Sequence, residues 1–233
     1  ENDGAFSSGG AGIGGGMGAS GDTTVTISGG TIYNAEGRDG GAGIGGGKNS
    51  SGATNVNISH GDVHASTGYG NGGAGIGGGE QSEGAVNVNI SGGKVHTSTD
   101  YDNGGAGIGG GAQSKGETKI DISGDAQVSA NGSDGAAIGS GESSTGAATI
   151  NISGNAQVSA NGSDGAAIGS GESSAGAATI NISGAAQVSA NGSNGAGIGS
   201  GKSSSGETTI NIHDTAEGKG VQRAFSSSGA GIG

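Results

Sequence analysis

The stretch Gly10-Ala11-Gly12-Ile13-Gly14-Gly15-Gly16 opens a pattern that returns along the whole chain. Its isoleucine comes back with similar neighbours at Ile44, Ile76, Ile108, Ile138, Ile168, Ile198 and Ile232. The successive spacings are 31, 32, 32, 30, 30, 30 and 34 residues. A nearly constant period of this length is typical of solenoids and other repeat proteins.

Each period contains three stretches with the character of a β-strand. In the first period these are residues 11–15, residues 23–28, which alternate polar and apolar side chains, and residues 31–33. Gly29-Gly30 forms a tight corner between the last two. We therefore predict an all-β, right-handed parallel β-helix, a solenoid with about 30 residues and three strands per coil.

The spacing within the period predicts how the coils stack. From the first isoleucine to the isoleucine of the second strand there are 14 residues in every coil, as from Ile13 to Ile27 and from Ile198 to Ile212. Equal spacing keeps two strands in one register along the stack. The sequence therefore predicts one inward ladder formed by Ile13, Ile44, Ile76, Ile108, Ile138, Ile168 and Ile198.

The chain is expected to be a single segment, 1–233, of a longer array. Its coils are varied over 1–122, nearly identical over 123–212, and irregular over 213–233. For example, residues 123–152 and 153–182 differ only at Asp125/Asn155 and Thr145/Ala175. One coil buries too few aliphatic side chains to fold alone, so the stability of the array must be collective.

Composition excludes several classes of protein. There are 62 glycines but no proline and no repeat of three, so a collagen triple helix is excluded. There is no cysteine for disulfides or thiolate metal sites. A net charge of −12 argues against nucleic acid as a partner, and no apolar run is long enough for membrane insertion.

Two stretches carry a resemblance to known proteins. Residues 25–32 and residues 88–95, together with the Gly-Ile of each glycine-rich strand, resemble the carbohydrate-binding parallel β-helix family of cellulolytic clostridia. They are also similar to glycine-rich repeats in surface proteins of Gram-positive gut bacteria. The resemblance implies a right-handed parallel β-helix that is extracellular, on the bacterial cell surface, and non-catalytic.

The few aromatic and imidazole side chains gather in the first half of the chain. Tyr33, His64 and His96 share an outward position of the third strand, and Tyr69 and Tyr101 share a loop position. Exposed aromatic rings suit sugar rings, so these five residues are the predicted ligand-binding site for a polysaccharide. Alternatively, the two loop tyrosines only cover a longer loop, and the two histidines could share a metal ion.

The second strand offers another outward surface. Its two outward columns are mainly threonine and asparagine, and Lys119 and Asp121 interrupt them. A flat Thr/Asn array resembles the ice-binding faces of β-helical antifreeze proteins, so ice binding is the alternative function. An ordinary solvated strand face is the simpler interpretation, because threonine favours strands.

No cofactor is predicted, with calcium as the one alternative. The acidic loops around Asp100, Asp102 and Asn103, and over residues 131–134, carry oxygen ligands of the kind that calcium prefers. Asp and Asn are also common turn residues. Acids and bases are scattered along the chain without a nucleophile–base pair, so the chain is predicted not to be an enzyme.

The glycine-rich strand suggests a contact face. If Ala11 and Ile13 point inward, a bare stripe points outward, and bare strands are costly. We therefore predict a flat surface for a polysaccharide, another surface protein or a second solenoid, formed by Gly12, Gly14, Gly43, Gly45, Gly75, Gly77, Gly107 and Gly109. The predicted function is extracellular binding or adhesion, and a purely structural, self-associating stalk is a further alternative to ice binding.

Overall fold

The computed structural model of the chain describes residues 9–68, 72–99, 104–213 and 220–233. Within these ranges the regular structure consists of nineteen β-strands, and there is no helix. The described residues therefore contain no apolar helix that could cross a membrane. The prediction of an all-β parallel solenoid is confirmed by the pairing of every strand with its equivalent in the next coil.

The first side of the solenoid is a sheet of seven two-residue strands, one from each of the first seven glycine-rich stretches, and Ile232 of the eighth stretch forms a single bridge to Ile198. Each pairs in parallel with the next, in the register that joins Ile13 to Ile44 and Ile168 to Ile198. The strands are β1 (Ile13–Gly14), β3 (Ile44–Gly45), β5 (Ile76–Gly77), β8 (Ile108–Gly109), β11 (Ile138–Gly139), β14 (Ile168–Gly169) and β17 (Ile198–Gly199).

The second and third sides belong to one sheet of twelve strands. Two long strands, β2 (Thr23–Gly37) and β4 (Thr54–Thr67), run through both sides. The second side continues with β6 (Val86–Ile90), β9 (Thr118–Ile122), β12 (Ala148–Ile152), β15 (Ala178–Ser183) and β18 (Thr208–His213). The third continues with β7 (Lys94–Thr99), β10 (Gln127–Asn131), β13 (Gln157–Asn161), β16 (Gln187–Gly192) and β19 (Gly220–Ser226).

A narrow core of stacked aliphatic side chains fills the solenoid. Along most strands of the second and third sides buried and more exposed residues alternate, as in β6, where Val86, Val88 and Ile90 are buried. The isoleucine ladder of the first side is confirmed by its register, and its members from Ile44 to Ile198 are fully buried. Ile13 is 37% exposed because it lies at the end of the ladder. Each buried isoleucine contributes about 1.5–3 kcal/mol.

The predicted corner between the second and third strands is present in the first coil. Gly30 has a φ of 81°, a left-handed conformation that glycine adopts without a steric penalty. Gly61 and Gly93 have positive φ at the equivalent corners of the next two coils. The chain can therefore bend within two residues and still pair with the neighbouring coil on both sides of the bend.

The first predicted strand is shorter than the sequence suggested. Residues 11–15 were expected to be extended, but only Ile13 and Gly14 pair as strand. The N–H of Ala11 donates to the carbonyl of Gly15 over 2.9 Å, and Ala42 donates to Gly46 in the same way. This bond bends the stretch into a tight loop, which we call the glycine turn.

The predicted outward contact face is wrong. An added Cβ at Gly45, where φ is 135°, would collide with the carbonyl of Gly77 in the next coil. At Gly43 it would lie 2.6 Å from the carbonyl oxygens of Ala35 and Gly75. The stripe therefore packs against the chain's own backbone. In the end coil Gly12 is partly buried and Gly14 is exposed. The buried members of the stripe are Gly43, Gly45, Gly75, Gly77, Gly107 and Gly109.

Candidate functional site

The third side carries a long groove on its outer surface. Its volume is about 600 Å³, and it crosses the strands of the third side from β4 to β19. Small serine side chains form its floor in the nearly identical coils, namely Ser129, Ser159 and Ser189. Longer glutamine side chains form one wall, namely Gln127, Gln157 and Gln187. The alternation of long and short side chains on one face makes the surface concave.

Ionisable groups lie at the two ends of this groove. At one end His64 and His96 face each other, with ring centroids 5.6 Å apart, and His64 Nε2 lies 3.1 Å from Asp62 Oδ1. Gln222 lines the other end, and the next residue, Arg223, pairs in register with Ser189 of the groove floor. Its guanidinium carbon lies 5.0 Å from the ring centroid of Phe225. The residues that line the middle of the groove are uncharged: glutamine, serine and valine.

The structure brings together only part of the predicted ligand-binding set. His64 and His96 are adjacent, as the shared column predicted. Tyr33 is 85% exposed, but the register slips between Ile32 and Ala35, so Tyr33 has no paired position beside His64. The described residues do not include Tyr69 and Tyr101, whose roles remain predictions.

The groove residues that sequence reasoning missed are the serines and glutamines. Ser129 pairs in register with His96 and so continues the histidine column, and Gln127 lies two residues earlier on the same face. The signal that marks them is the sequence Gln-Val-Ser-Ala-Asn, which places a small residue between two long ones on one face. The repetition of this sequence in three coils predicts a groove.

On the outward face of the second side, side chains of neighbouring coils are joined by hydrogen bonds. Asn181 donates its amide to Asn151 over 2.7 Å, and Asn211 donates to Asn181 over 2.9 Å. The ladder ends on Asp121, which lies 3.1 Å from the ammonium of Lys119. These amides bond to one another. In the first coils the same face has a smaller cleft of about 320 Å³.

An acidic cluster lies at the edge between the third side and the glycine turn. Carboxylate oxygens of Asp134, Asp164 and Glu172 lie within 4.8 Å of one another. Lys202 pairs with Asp164, and its Nζ lies 3.2 Å from Glu172. Hydrogen bonds from Asn194 and Lys202 hold the pKa of the Asp164 carboxyl below its ordinary value. A lysine ammonium thus supplies positive charge to this cluster.

The calcium candidates fall in two groups. Asp134, from the predicted loop over 131–134, joins the acidic cluster just described. Asp100, Asp102 and Asn103 lie outside the described residues. Calcium binding by either loop stays a prediction.

The fold and the surface define a class of protein, the parallel β-solenoid with an axial polar groove. The family comparison agrees, since six segments match the family model described as a β-helix repeat: residues 25–48, 56–80, 88–112, 120–142, 150–172 and 180–202. Together they cover more than half of the chain, so the chain belongs to the β-helix repeat family. No curated protein and no solved structure matches the chain.

Proposed function

We propose that this chain is a non-catalytic binding β-helix whose third-side groove holds a linear polysaccharide. The observation that carries the proposal is the groove itself, about 600 Å³ in volume and continuous across the strands. Ligand sites are concave surfaces with a few well-placed polar groups. Here the polar groups repeat once per coil, which suits a ligand that is also a repeating chain.

The spacing of the coils supports a polymer that lies along the solenoid axis. Parallel strands stack about 4.8 Å apart, which is close to the length of one sugar ring in an extended glycan. Each ring would therefore meet the same set of groups, a serine hydroxyl from the floor and a glutamine amide from the wall. Both groups can donate and accept hydrogen bonds, as sugar hydroxyls do.

Aromatic stacking and location complete the proposal. Tyr33 is highly exposed in the first coil, and Tyr69 and Tyr101 belong to the same half of the sequence. An exposed flat ring suits the apolar face of a sugar. We place the protein outside the cell, on a bacterial surface, where polysaccharides are the abundant polymers and a chain without cysteine does not depend on redox conditions.

The groove is tested by filling it. Tyrosine in place of Ser159 would block the floor near its middle, while the strand keeps its fold because tyrosine favours strands. We expect Ser159→Tyr to lose retention in native gels cast with soluble neutral or acidic polysaccharides. The wild-type chain should be retarded in at least one of these gels.

The matched control is Thr179→Tyr, which adds the same ring to the second side, and it should bind as wild type does. Equal retention of Ser159→Tyr and wild type would contradict the groove as the site. Circular dichroism melts confirm that both variants are folded. A chain that binds no glycan but inhibits ice recrystallisation would support the alternative function, and failure of both assays would favour a structural stalk.

A further inference from the structure

We propose that His64, His96 and Asp62 form a binding site for one transition-metal ion, such as Zn²⁺ or Cu²⁺. The three residues lie on β4 and β7 at one end of the groove, on adjacent rungs. The site does not depend on what the groove binds, because the proposed ligands of the ion are protein side chains and water.

One pair of groups already lies at the distance expected for a shared ion, and His96 must turn toward that pair to complete the site. Ligands bound to tetrahedral zinc at about 2.0–2.2 Å lie about 3.3 Å from one another. His64 Nε2 and Asp62 Oδ1 are already 3.1 Å apart. The ring of His96 lies 5.6 Å away between centroids, tilted by 39°. His96 is exposed, so a rotation of its side chain can bring a ring nitrogen to the ion.

The backbone holds the two imidazoles ready for this arrangement. His64 and His96 are paired directly across a parallel ladder. Each follows one of the buried valines Val63 and Val95, which form the neighbouring rung and fix the strands. Little backbone freedom is therefore lost when an ion binds. Two imidazoles and one carboxylate are a ligand set found in zinc enzymes, and the exposed groove leaves the fourth position to water.

The surrounding charges set the expected affinity. Lys94 is the rung partner of Asp62, and its ammonium opposes a bound cation. Gln127 follows Lys94 in the same column of the next coil. Lys94→Gln therefore makes coil three resemble coil four and removes the repulsion. We expect it to tighten metal binding by roughly threefold.

The test is titration of the full chain with ZnCl₂ by isothermal calorimetry. We expect one ion per chain, with binding at least about tenfold weaker in His96→Ser and in His64→Ser. Serine is the residue at this position in the next coil, Ser129, so these variants should fold as wild type does. His213→Ser, which changes an exposed histidine far from the site, is the matched control and should bind as wild type does.

Copper provides a second readout. Electron paramagnetic resonance of the chain with one equivalent of Cu²⁺ should show coupling to two imidazole nitrogens, and to one in His96→Ser. The proposal is overturned if the chain binds no ion in a one-to-one ratio, or if the double variant His64→Ser/His96→Ser binds as tightly as wild type. No polysaccharide is present in either experiment, so its outcome is independent of the proposed function.

Discussion

The varied coils of the first half and the nearly identical coils of the second half share one fold but are joined differently. In the first half, opposite charges link neighbouring coils. Lys48 Nζ lies 2.8 Å from Glu80, and Lys115 Nζ lies 2.8 Å from Glu83. Such pairs need different residues at related positions of adjacent coils. The nearly identical half forms them where Lys202 replaces the repeated glutamate, and Lys202 pairs there with Asp164 and Glu172.

Identical coils place each residue beside a copy of itself, so they need side chains that complement themselves. Asparagine meets this need because its amide both donates and accepts, as Asn151 and Asn181 do. Buried serines do the same, and the hydroxyls of Ser144 and Ser174 lie 3.2 Å apart. Repeated acids repel, and the repetition that helps an amide ladder therefore penalises a charge.

The largest expected effect tests what the two halves have in common. Gly77→Thr adds a Cβ where the carbonyl of Gly109 lies, at a φ of 134°, so we expect a loss of more than about 4 kcal/mol in the free energy of unfolding. Gly169→Thr should cost the same in the second half. Urea titration followed by circular dichroism measures both.

The control for these variants is Gly29→Ala, where no atom lies within 4 Å of the added Cβ and no positive φ is required. Its free energy of unfolding should remain near that of wild type. If Gly77→Thr were tolerated while Gly169→Thr was not, the glycine turn would differ between the halves. This result would contradict the statement that the two halves share one fold.

A smaller effect tests the self-complementary ladder. Asn151 donates to Asp121 over 2.6 Å, so Asn151→Asp removes the donor and places two carboxylates side by side. We expect a loss of about 1–3 kcal/mol at pH 7, measured by urea titration. Asn57→Asp has Thr26 and Asn89 as rung partners and should change stability by less than about 0.5 kcal/mol. Equal losses would show that the ladder bond is not the cause.

The smallest effect concerns the repeated acids. Burial, and then the charges of Asp134 and Glu172, raise the pKa of the Glu142 carboxyl above its ordinary 4.5. The folded chain therefore binds this proton more tightly than the unfolded chain. The stabilising contribution is complete below pH 4.5 and is lost as the pH rises through the folded pKa.

Glu142→Gln removes this penalty. We expect the melting temperature to rise by roughly 1–2 °C at pH 7, with no gain at pH 4 or below. The control is Glu117→Gln, an exposed acid outside the cluster, which should leave the melting temperature unchanged. A gain that persisted at low pH would mean that relief of charge is not its source.

The fold could be predicted because it depends on spacing. The spacing of fourteen residues from Ile13 to Ile27, kept in every coil, determines which strands stack and which side chains face inward. Alternation in residues 23–28 gave the correct outward and inward sets. These features follow from strand geometry, which has a period of two and does not depend on distant contacts.

The glycine turn could not be predicted in the same way. Glycine fits an extended strand and a left-handed bend equally well, so the glycines around Ile44 do not show which of the two conformations the chain adopts. The close approach of the Gly45 backbone to Gly77 exists only once the coils stack. The groove could not be predicted for another reason. It arises from the difference in size between the side chains of Gln157 and Ser159, and a search for aromatic residues does not detect such a difference.

The amide ladder of the second side also has a direction. A carboxylate only accepts hydrogen bonds, so Asp121 forces Asn151 to donate to it, which turns the oxygen of Asn151 toward Asn181. The same choice passes on to Asn211. The amide dipoles of this column therefore add along the solenoid axis instead of cancelling, and each bond polarises the next. One acid sets the polarity of a column three coils long, with its negative end at the oxygen of Asn211.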